Sequence, residues 1–338
     1  MAPTLTIQPT YLYMLLRFRA HFLSRKAKTI SHFIRRYSDL YGAPKLGPPE
    51  VSRILRANEH CSELQAKSLR AFETNQLPSN SPVEDRLVIA RCLLTTGHLF
   101  GVFDGHGGHA FSELLSHRLF DYIALSILPP HILKQYVAKN ERTHLIKMLQ
   151  VETYLESTEK EIHFESLAMF AKDLLSSAGG HFSMQDALQR AFLRLDNDVS
   201  REVLENKLPD SLVYAVTGSC ACVVHVDGTH LHVASTGDCK AVLGVLCDDD
   251  SWRATSLSFE HNADNLSELR RVLSEHPTSE GNTVVKQDRL LGNLAPFRAF
   301  GDFNYKWKEN VIREKLVSEF GPLVLAGNYN TPPYLTAK

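Results

Sequence analysis

Between Met1 and Ser38 the sequence has no aspartate and no glutamate, while Arg17, Arg19, Arg25, Lys26, Lys28, Arg35 and Arg36 all fall there. Apolar residues such as Leu12, Leu15, Leu16, Phe18, Phe22, Phe33 and Ile34 are interleaved with these charges. A basic, hydroxylated, amphipathic and acid-free leader has the composition of a mitochondrial transit peptide, and Arg35-Arg36-Tyr37-Ser38 resembles a processing site with cleavage after Tyr37. A basic surface helix or a membrane-surface anchor is the competing reading. No apolar run is long enough for a transmembrane helix. The formal net charge is −1, which gives no global electrostatic case for a nucleic-acid partner. The six cysteines (61, 92, 220, 222, 239 and 247) contain no Cys-x-x-Cys pair, so neither a zinc ribbon nor a disulfide framework is indicated. Cys220 and Cys222 share one face of an expected strand and read as core thiols of a reducing compartment such as cytosol or matrix. There is no internal repeat and no low-complexity tract.

What is present is an alternation of strand and helix patterns. Residues 39 to about 50 hold Gly42, Pro44, Gly47, Pro48 and Pro49 and read as a linker. A helix is expected from Pro49 to about Phe72. Leu87–Leu94 and Leu99–Phe103 read as strands joined by the turn Thr95-Thr96-Gly97, a hairpin. Helical spacing begins at His109 and runs through Tyr122. Residues 131 to about 180 read as mostly helical, and Ala187–Val203 as a further helix. Strands return at Val213–Val226, Leu231–Ala234, Ala241–Leu246 and Trp252–Leu257, with Asp227-Gly228 as a hairpin turn. Leu266–Leu273 reads as a short helix. Runs of hairpins and runs of helices without strict alternation indicate an α+β fold.

Four constellations can carry chemistry. Asp104-Gly105-His106 places a carboxylate and an imidazole where a strand gives way to a helix, with Gly105, Gly107 and Gly108 free to turn. A carboxylate with a nearby backbone carbonyl begins a site for a hard cation, and an imidazole can donate a proton near neutral pH. An Asp-Gly turn is the plain alternative. Glu84-Asp85 opens the strand that pairs with the one ending at Asp104, and hairpin geometry puts these three carboxylates side by side. Such a cluster repels itself unless a cation neutralises it; otherwise Glu84 and Asp85 are a solvated strand end. Gly237-Asp238-Cys239-Lys240 follows a strand and reads as a turn or a ligand loop. In Leu294–Lys306, Arg298 and Asp302 are either an internal ion pair or part of a site.

Together these blocks resemble the metal-dependent protein Ser/Thr phosphatase family, protein phosphatase 2C. Val83-Glu84-Asp85, Val102–Gly108, Thr217–Ala221 with Gly237-Asp238, and Gly292–Ala295 through Gly301-Asp302 occur in that family's order, over roughly residues 75 to 338. Asn75–Pro78, Arg118–Phe120, Leu195–Asp198, Val285–Gly292 and Thr331–Ala337 are most similar to its mitochondrial pyruvate dehydrogenase phosphatase branch.

The resemblance implies a central antiparallel β-sandwich flanked by helices, an α-β-β-α arrangement, and a site for two Mg²⁺ or Mn²⁺ ions. Asp104 would bridge the ions, the Gly105 carbonyl would bind one, Glu84 and Asp85 would hold metal or its waters, and Asp238 would hold a third. A metal-bridging hydroxide would attack phosphorus and His106 would protonate the departing serine oxygen. The implied substrate is phosphoserine on the pyruvate dehydrogenase E1 subunit and its complex in the mitochondrial matrix, with a regulatory subunit as a further partner and no nucleic acid. The expected organisation is a transit peptide at 1–37, a linker and N-terminal helix at 38–74, and a catalytic domain at 75–338 with a helical insertion at about 131–200. Asn80 and Cys239-Lys240 stand where many members carry Arg and Ser-Arg. The family's further strands, with two more ligating aspartates, would follow Tyr334–Ala337, so the chain reads as a C-terminally truncated form. The alternative function is a catalytically inactive binding or regulatory module.

Overall fold

The computed structural model describes residues 46–64, 66, 68–139, 142–150, 157–177, 182–322 and 331–338, with the backbone of two short segments nearer the N-terminus. The chain divides into two compact units, residues 18–81 and residues 1–17 with 82–338.

In the smaller unit, helix α1 spans Pro48–Leu55, with prolines in its first turn and the Glu50 carboxylate accepting from the Gly47 N–H at 2.9 Å. The helix expected up to Phe72 ends early. Asn75 donates its side-chain N–H to the Leu55 carbonyl at 2.8 Å, closing the helix end. The chain then forms a hairpin of β3 (His60–Glu63) and β4 (Ala71–Thr74), with Cys61 opposite Glu73.

The larger unit is built on two antiparallel sheets. Its strands are β1 (Leu5–Thr6), β2 (Leu12–Arg17), β5 (Arg86–Cys92), β6 (His98–His106), β7 (Ile146–Gln150), β8 (Gly218–Asp227), β9 (His230–Thr236), β10 (Lys240–Leu246), β11 (Trp252–Ser256), β12 (Val285–Lys286), β13 (Arg289–Leu290) and β14 (Phe300–Gly301). One sheet has the order β1-β9-β8-β6-β5-β7, with β14 also pairing β8; the other has the order β11-β10-β2. Every strand pair among the described residues is antiparallel. The expected hairpins form as read: Arg86 faces Phe103, and Asp227 faces His230 across the Asp-Gly turn. Within the expected leader, the backbones of β1 and β2 pair with β9 and β10; its other residues lie outside the described ones.

Helices α2 (Ala110–Ser126), α3 (Pro130–Lys139), α4 (Ser157–Ser176), α5 (Met184–Leu204), α6 (Val213–Val216), α7 (Leu266–Ser274), α8 (Gly281–Val284), α9 (Glu309–Lys315) and α10 (Val317–Phe320) complete this unit. In α2 every residue from Phe111 to Ser126 except Glu113 is buried. A helix buried on all sides belongs in the middle of a core, and α2 indeed lies against β5, β6 and β8 on one side and α4 and α5 on the other. Two elements differ from the sequence reading. The segment Ile146–Gln150, expected within a helical stretch, is a strand alternating buried Ile146 with exposed Lys147. Residues 213–216 form one helical turn before β8 starts at Gly218.

Polar side chains tie the helical layer together. Arg118 of α2, 1% exposed, donates two hydrogen bonds to the Glu202 carboxylate of α5, Nη1–Oε2 at 2.6 Å and Nη2–Oε1 at 2.7 Å. Ser166 of α4 donates to the same carboxylate at 2.5 Å. Burial opposes the Arg118 charge, and the facing Glu202 carboxylate overrides it, so the guanidinium is held even more firmly protonated than usual. Tyr122 donates to Asp198 at 2.8 Å, and Arg194 and Arg201 donate to that same carboxylate.

Candidate active site

Asp104 sits near the end of β6, and the strand continues beyond it to His106 because β8 pairs alongside: Asp104 faces Cys220, Gly105 faces Ser219 and His106 faces Gly218. The strand was expected to stop at Phe103. Gly105 therefore stays in the sheet rather than turning. Its missing side chain serves close packing instead, since a Cβ there would collide with the Glu84 carbonyl and approach Ser112 Oγ to 2.7 Å. Ser112, in the first turn of α2, donates to both the Glu84 and His109 carbonyls. The turn itself falls at Gly107 and Gly108, whose φ angles of +72° and +134° favour glycine.

The hairpin register that puts Arg86 opposite Phe103 brings Asp85 beside Asp104, and the two carboxyl groups share a hydrogen bond. Burial, then the charges of Asp85 and Asp238, push the Asp104 carboxyl up to about 7. Burial likewise raises Asp85, against the hydrogen bond from Asp104, with the Glu84 charge adding to the rise. Glu84, Asp85, Asp104 and Asp238 thus form one electrostatic cluster drawn from the residues just before β5, from β6 and from the β9–β10 turn. Asp238 is held there through Cys220, whose thiol donates to it at 3.4 Å.

His106 is 9% exposed, and its Nε2 lies 2.6 Å from Oδ2 of Asp302. Burial alone would lower its pKa, but Asp302, with lesser help from Asp104 and Asp238, raises it, so the ring holds its proton more firmly than an ordinary imidazole. Asp302 was read from sequence as a possible partner of Arg298. That pair does not form: Arg298 binds Glu268, Nε–Oε2 at 2.8 Å, and the Lys338 carbonyl. Asp302 instead occupies a left-handed conformation, φ +47°, with its N–H donated to the Thr217 carbonyl at 2.8 Å. The two-residue strand β14 anchors this bend, Phe300 facing Ser219 and Gly301 facing Gly218. Asp196 of α5 accepts from the Gly301 N–H at 2.9 Å and from Lys306 Nζ at 2.7 Å. Gly218 completes the fit, because a Cβ on it would clash with the Asp302 carboxylate and approach His106 Nε2 to 2.5 Å.

This arrangement offers oxygen donors to a cation and one imidazole paired with a carboxylate. Carboxylates and a backbone carbonyl are the donor set that Mg²⁺ or Mn²⁺ prefers. Burial first, then the charges of Asp85 and Asp238, drive Asp104 to about 7, and those charges are what a divalent ion would neutralise. By donor chemistry, these oxygens suit a hard divalent cation rather than a soft one. All six cysteines are free, and Cys220 and Cys239 are buried with their thiols pushed well above the ordinary range. Neither is a thiolate nucleophile.

A protein-family model, Protein phosphatase 2C, matches residues 145–324. The chain is 43% identical over 332 residues to mitochondrial pyruvate dehydrogenase (acetyl-transferring) phosphatase 1 of Homo sapiens, covering 90% of this chain and 62% of that protein. It is 40% identical over 319 residues to the human phosphatase 2 of the same name, covering 87% and 60%. The Saccharomyces cerevisiae phosphatase 1 is 30% identical over 293 residues, covering 79% of this chain and 44% of the yeast protein. The chain thus spans about 62% of the length of the first of these relatives. Among the described residues, no helix is long and apolar enough to cross a membrane.

Proposed function

The chain belongs to the protein phosphatase 2C family, and on that premise we propose that it is a metal-dependent protein serine/threonine phosphatase acting on phosphoserine of the pyruvate dehydrogenase complex in the mitochondrial matrix. The phosphorylated E1 subunit is the substrate and a regulatory subunit a further partner. The names of the relatives at 43% and 40% identity support the substrate and the compartment. The observation that carries the chemistry is the convergence of the Asp104 cluster with the hydrogen-bonded His106–Asp302 pair.

Asp104, Asp85, Glu84, Asp238 and the Gly105 carbonyl are the groups that would hold Mg²⁺ or Mn²⁺. When bound, such ions supply Lewis-acid activation of water and neutralise charge on the phosphoryl oxygens. His106 supplies the proton that the departing serine oxygen needs. Its Nε2 is committed to Asp302, which leaves Nδ1 as the nitrogen that gives up the proton. Asp302 keeps the ring oriented and charged until transfer. A module that only binds has no use for a buried imidazole held by a carboxylate beside a second carboxylate cluster, so catalysis is the reading the site favours.

The test is phosphate release from a phosphoserine peptide with Mg²⁺ or Mn²⁺, run beside p-nitrophenyl phosphate. His106→Asn is expected to slow peptide hydrolysis by about 10²-fold, the scale of a lost general acid. It should slow p-nitrophenyl phosphate much less, because that phenolate departs without a proton. No release of phosphate with either metal would overturn the proposal.

A further inference from the structure

We propose that Asp121, His144 and His163 form a second metal site, separate from the Asp104 cluster and suited to a zinc-like transition ion, that staples the helical layer to α2. Among the described residues these are the side chains whose ligating atoms gather as a metal-binding group, all within 4.8 Å of one another. They come from three places in the chain: Asp121 from α2, His163 from α4, and His144 from the segment leading into β7. His144 Nδ1 lies 2.6 Å and His163 Nε2 3.0 Å from the same oxygen, Oδ2 of Asp121.

The surroundings have the form of a built site. Asp121 and His163 are fully buried. The other Asp121 oxygen accepts the Leu145 N–H at 2.6 Å, which fixes the carboxylate and turns Oδ2 towards the two rings. Orientation of a ligating group by such an outer hydrogen bond is characteristic of metal centres. Nδ1 of His163 is buried and has no partner, so the ring's polar anchorage lies wholly on its Asp121 side. Rings pack around it at 5.2 Å (Phe164), 5.9 Å (His144) and 6.1 Å (Tyr122). The His144 side chain is 38% exposed, which gives an ion a way in and leaves a position for water.

The donor chemistry selects the ion. Two imidazoles and one carboxylate suit Zn²⁺, whereas Mg²⁺ and Ca²⁺ prefer oxygen throughout. Bonds of about 2.0–2.2 Å to a tetrahedral ion set its ligands roughly 3.3 Å apart. The two imidazoles therefore have to withdraw by well under about 1 Å from their hydrogen-bonded positions on the same bond-length argument, and the half-exposed His144 can move most readily.

The experiment uses the full chain carrying Asp104→Asn, which removes the central carboxylate of the active-site cluster. Zn²⁺ is titrated by equilibrium dialysis, and the bound ion is examined by zinc-edge X-ray absorption. One Zn²⁺ per chain is expected, with imidazole and oxygen scattering near 2.0–2.1 Å and no sulfur shell near about 2.3 Å. His144→Ala should weaken binding by at least about tenfold, as loss of a ligand does at minimum, and should abolish any Zn²⁺-induced rise in Tm. His232→Ala is the control, since His232 and His225 face each other at 3.5 Å on the β8–β9 hairpin and are the competing imidazole pair. Absence of stoichiometric binding, a sulfur shell, or affinity insensitive to His144→Ala would each overturn the proposal. The absorption spectrum is also recorded on the unsubstituted chain, so the outcome does not depend on a variant folding.

Discussion

Asp104→Asn is expected to abolish metal-dependent phosphate release, by about 10³-fold or more, while making the metal-free protein more stable at pH 7. The first half follows from position. Asp104 is the carboxylate at which the charges of Asp85, Asp238 and His106 converge. Removing it takes away the carboxylate proposed as the central metal ligand and part of the field that raises the His106 pKa. Loss of one preorganised electrostatic group in an enzyme site costs about 10²–10³-fold, and the proposed mechanism asks Asp104 to serve both the ions and the proton donor.

The second half follows from linkage. The Asp104 carboxyl titrates at about 7 in the fold against 3.8 in an unfolded chain. Between those values the folded form holds a proton that the unfolded form has released, so stability falls as pH rises through that window. Without metal, the protein at pH 7 or above carries a cost of a few kcal/mol from this residue alone. Asparagine carries no charge and escapes it. Melting curves in EDTA between pH 4.5 and 8 should therefore show the wild-type Tm falling relative to Asp104→Asn as pH rises. Adding Mg²⁺ or Mn²⁺ should restore the wild type and leave the variant unmoved, because ligand binding stabilises only a competent site. Equal Tm values for the two proteins across that range, with no response to metal, would refute the electrostatic account. The trade of stability for function at one residue is common where charge is concentrated for catalysis.

Much of the site was legible because it depends on local pattern. Two short apolar runs in Arg86–Cys92 and His98–His106, with a turn between, set the hairpin register, and that register brings Asp85 to Asp104. The Asp227-Gly228 turn fixed β8 against β9 in the same way. What escaped depends on distance along the chain. His106 and Asp302 are 196 positions apart and meet only because β14 adds to β8. Arg298, four positions before Asp302 and the nearer candidate, is drawn to Glu268 on α7. The helix expected from Pro49 to Phe72 fails for a local reason hidden in a remote residue, since the group that closes it at Leu55 is the side chain of Asn75. Strand β7 escaped because a five-residue stretch beside helices gives too little alternation to reveal its period.

Glu202→Gln is expected to destabilise the fold by about 3–5 kcal/mol, the cost of stranding one member of a buried ion pair. Arg118 has 1% of its surface exposed and both terminal nitrogens directed at Glu202, while its Nε has no partner. Neutralising Glu202 leaves a full positive charge in the core with no water to take over. The guanidinium cannot escape by losing its proton, because its pKa lies far above neutrality even without the pair. The effect spreads further, since Ser166 of α4 uses the same carboxylate and loses a charged acceptor. Thermal or urea unfolding should show the loss, with a Tm lower by roughly 10 °C at about 2–4 °C per kcal/mol for a unit of this size. The decisive comparison is the double variant Arg118→Met with Glu202→Leu. Removing both charges together replaces the pair by apolar packing, and this exchange is commonly neutral or stabilising. Recovery of most of the stability lost in Glu202→Gln would show that α2 and α5 are held by apolar burial, with the ion pair serving to fix their register. A double variant as unstable as the single one would instead make the Arg118–Glu202 contact itself a net source of cohesion between the helices.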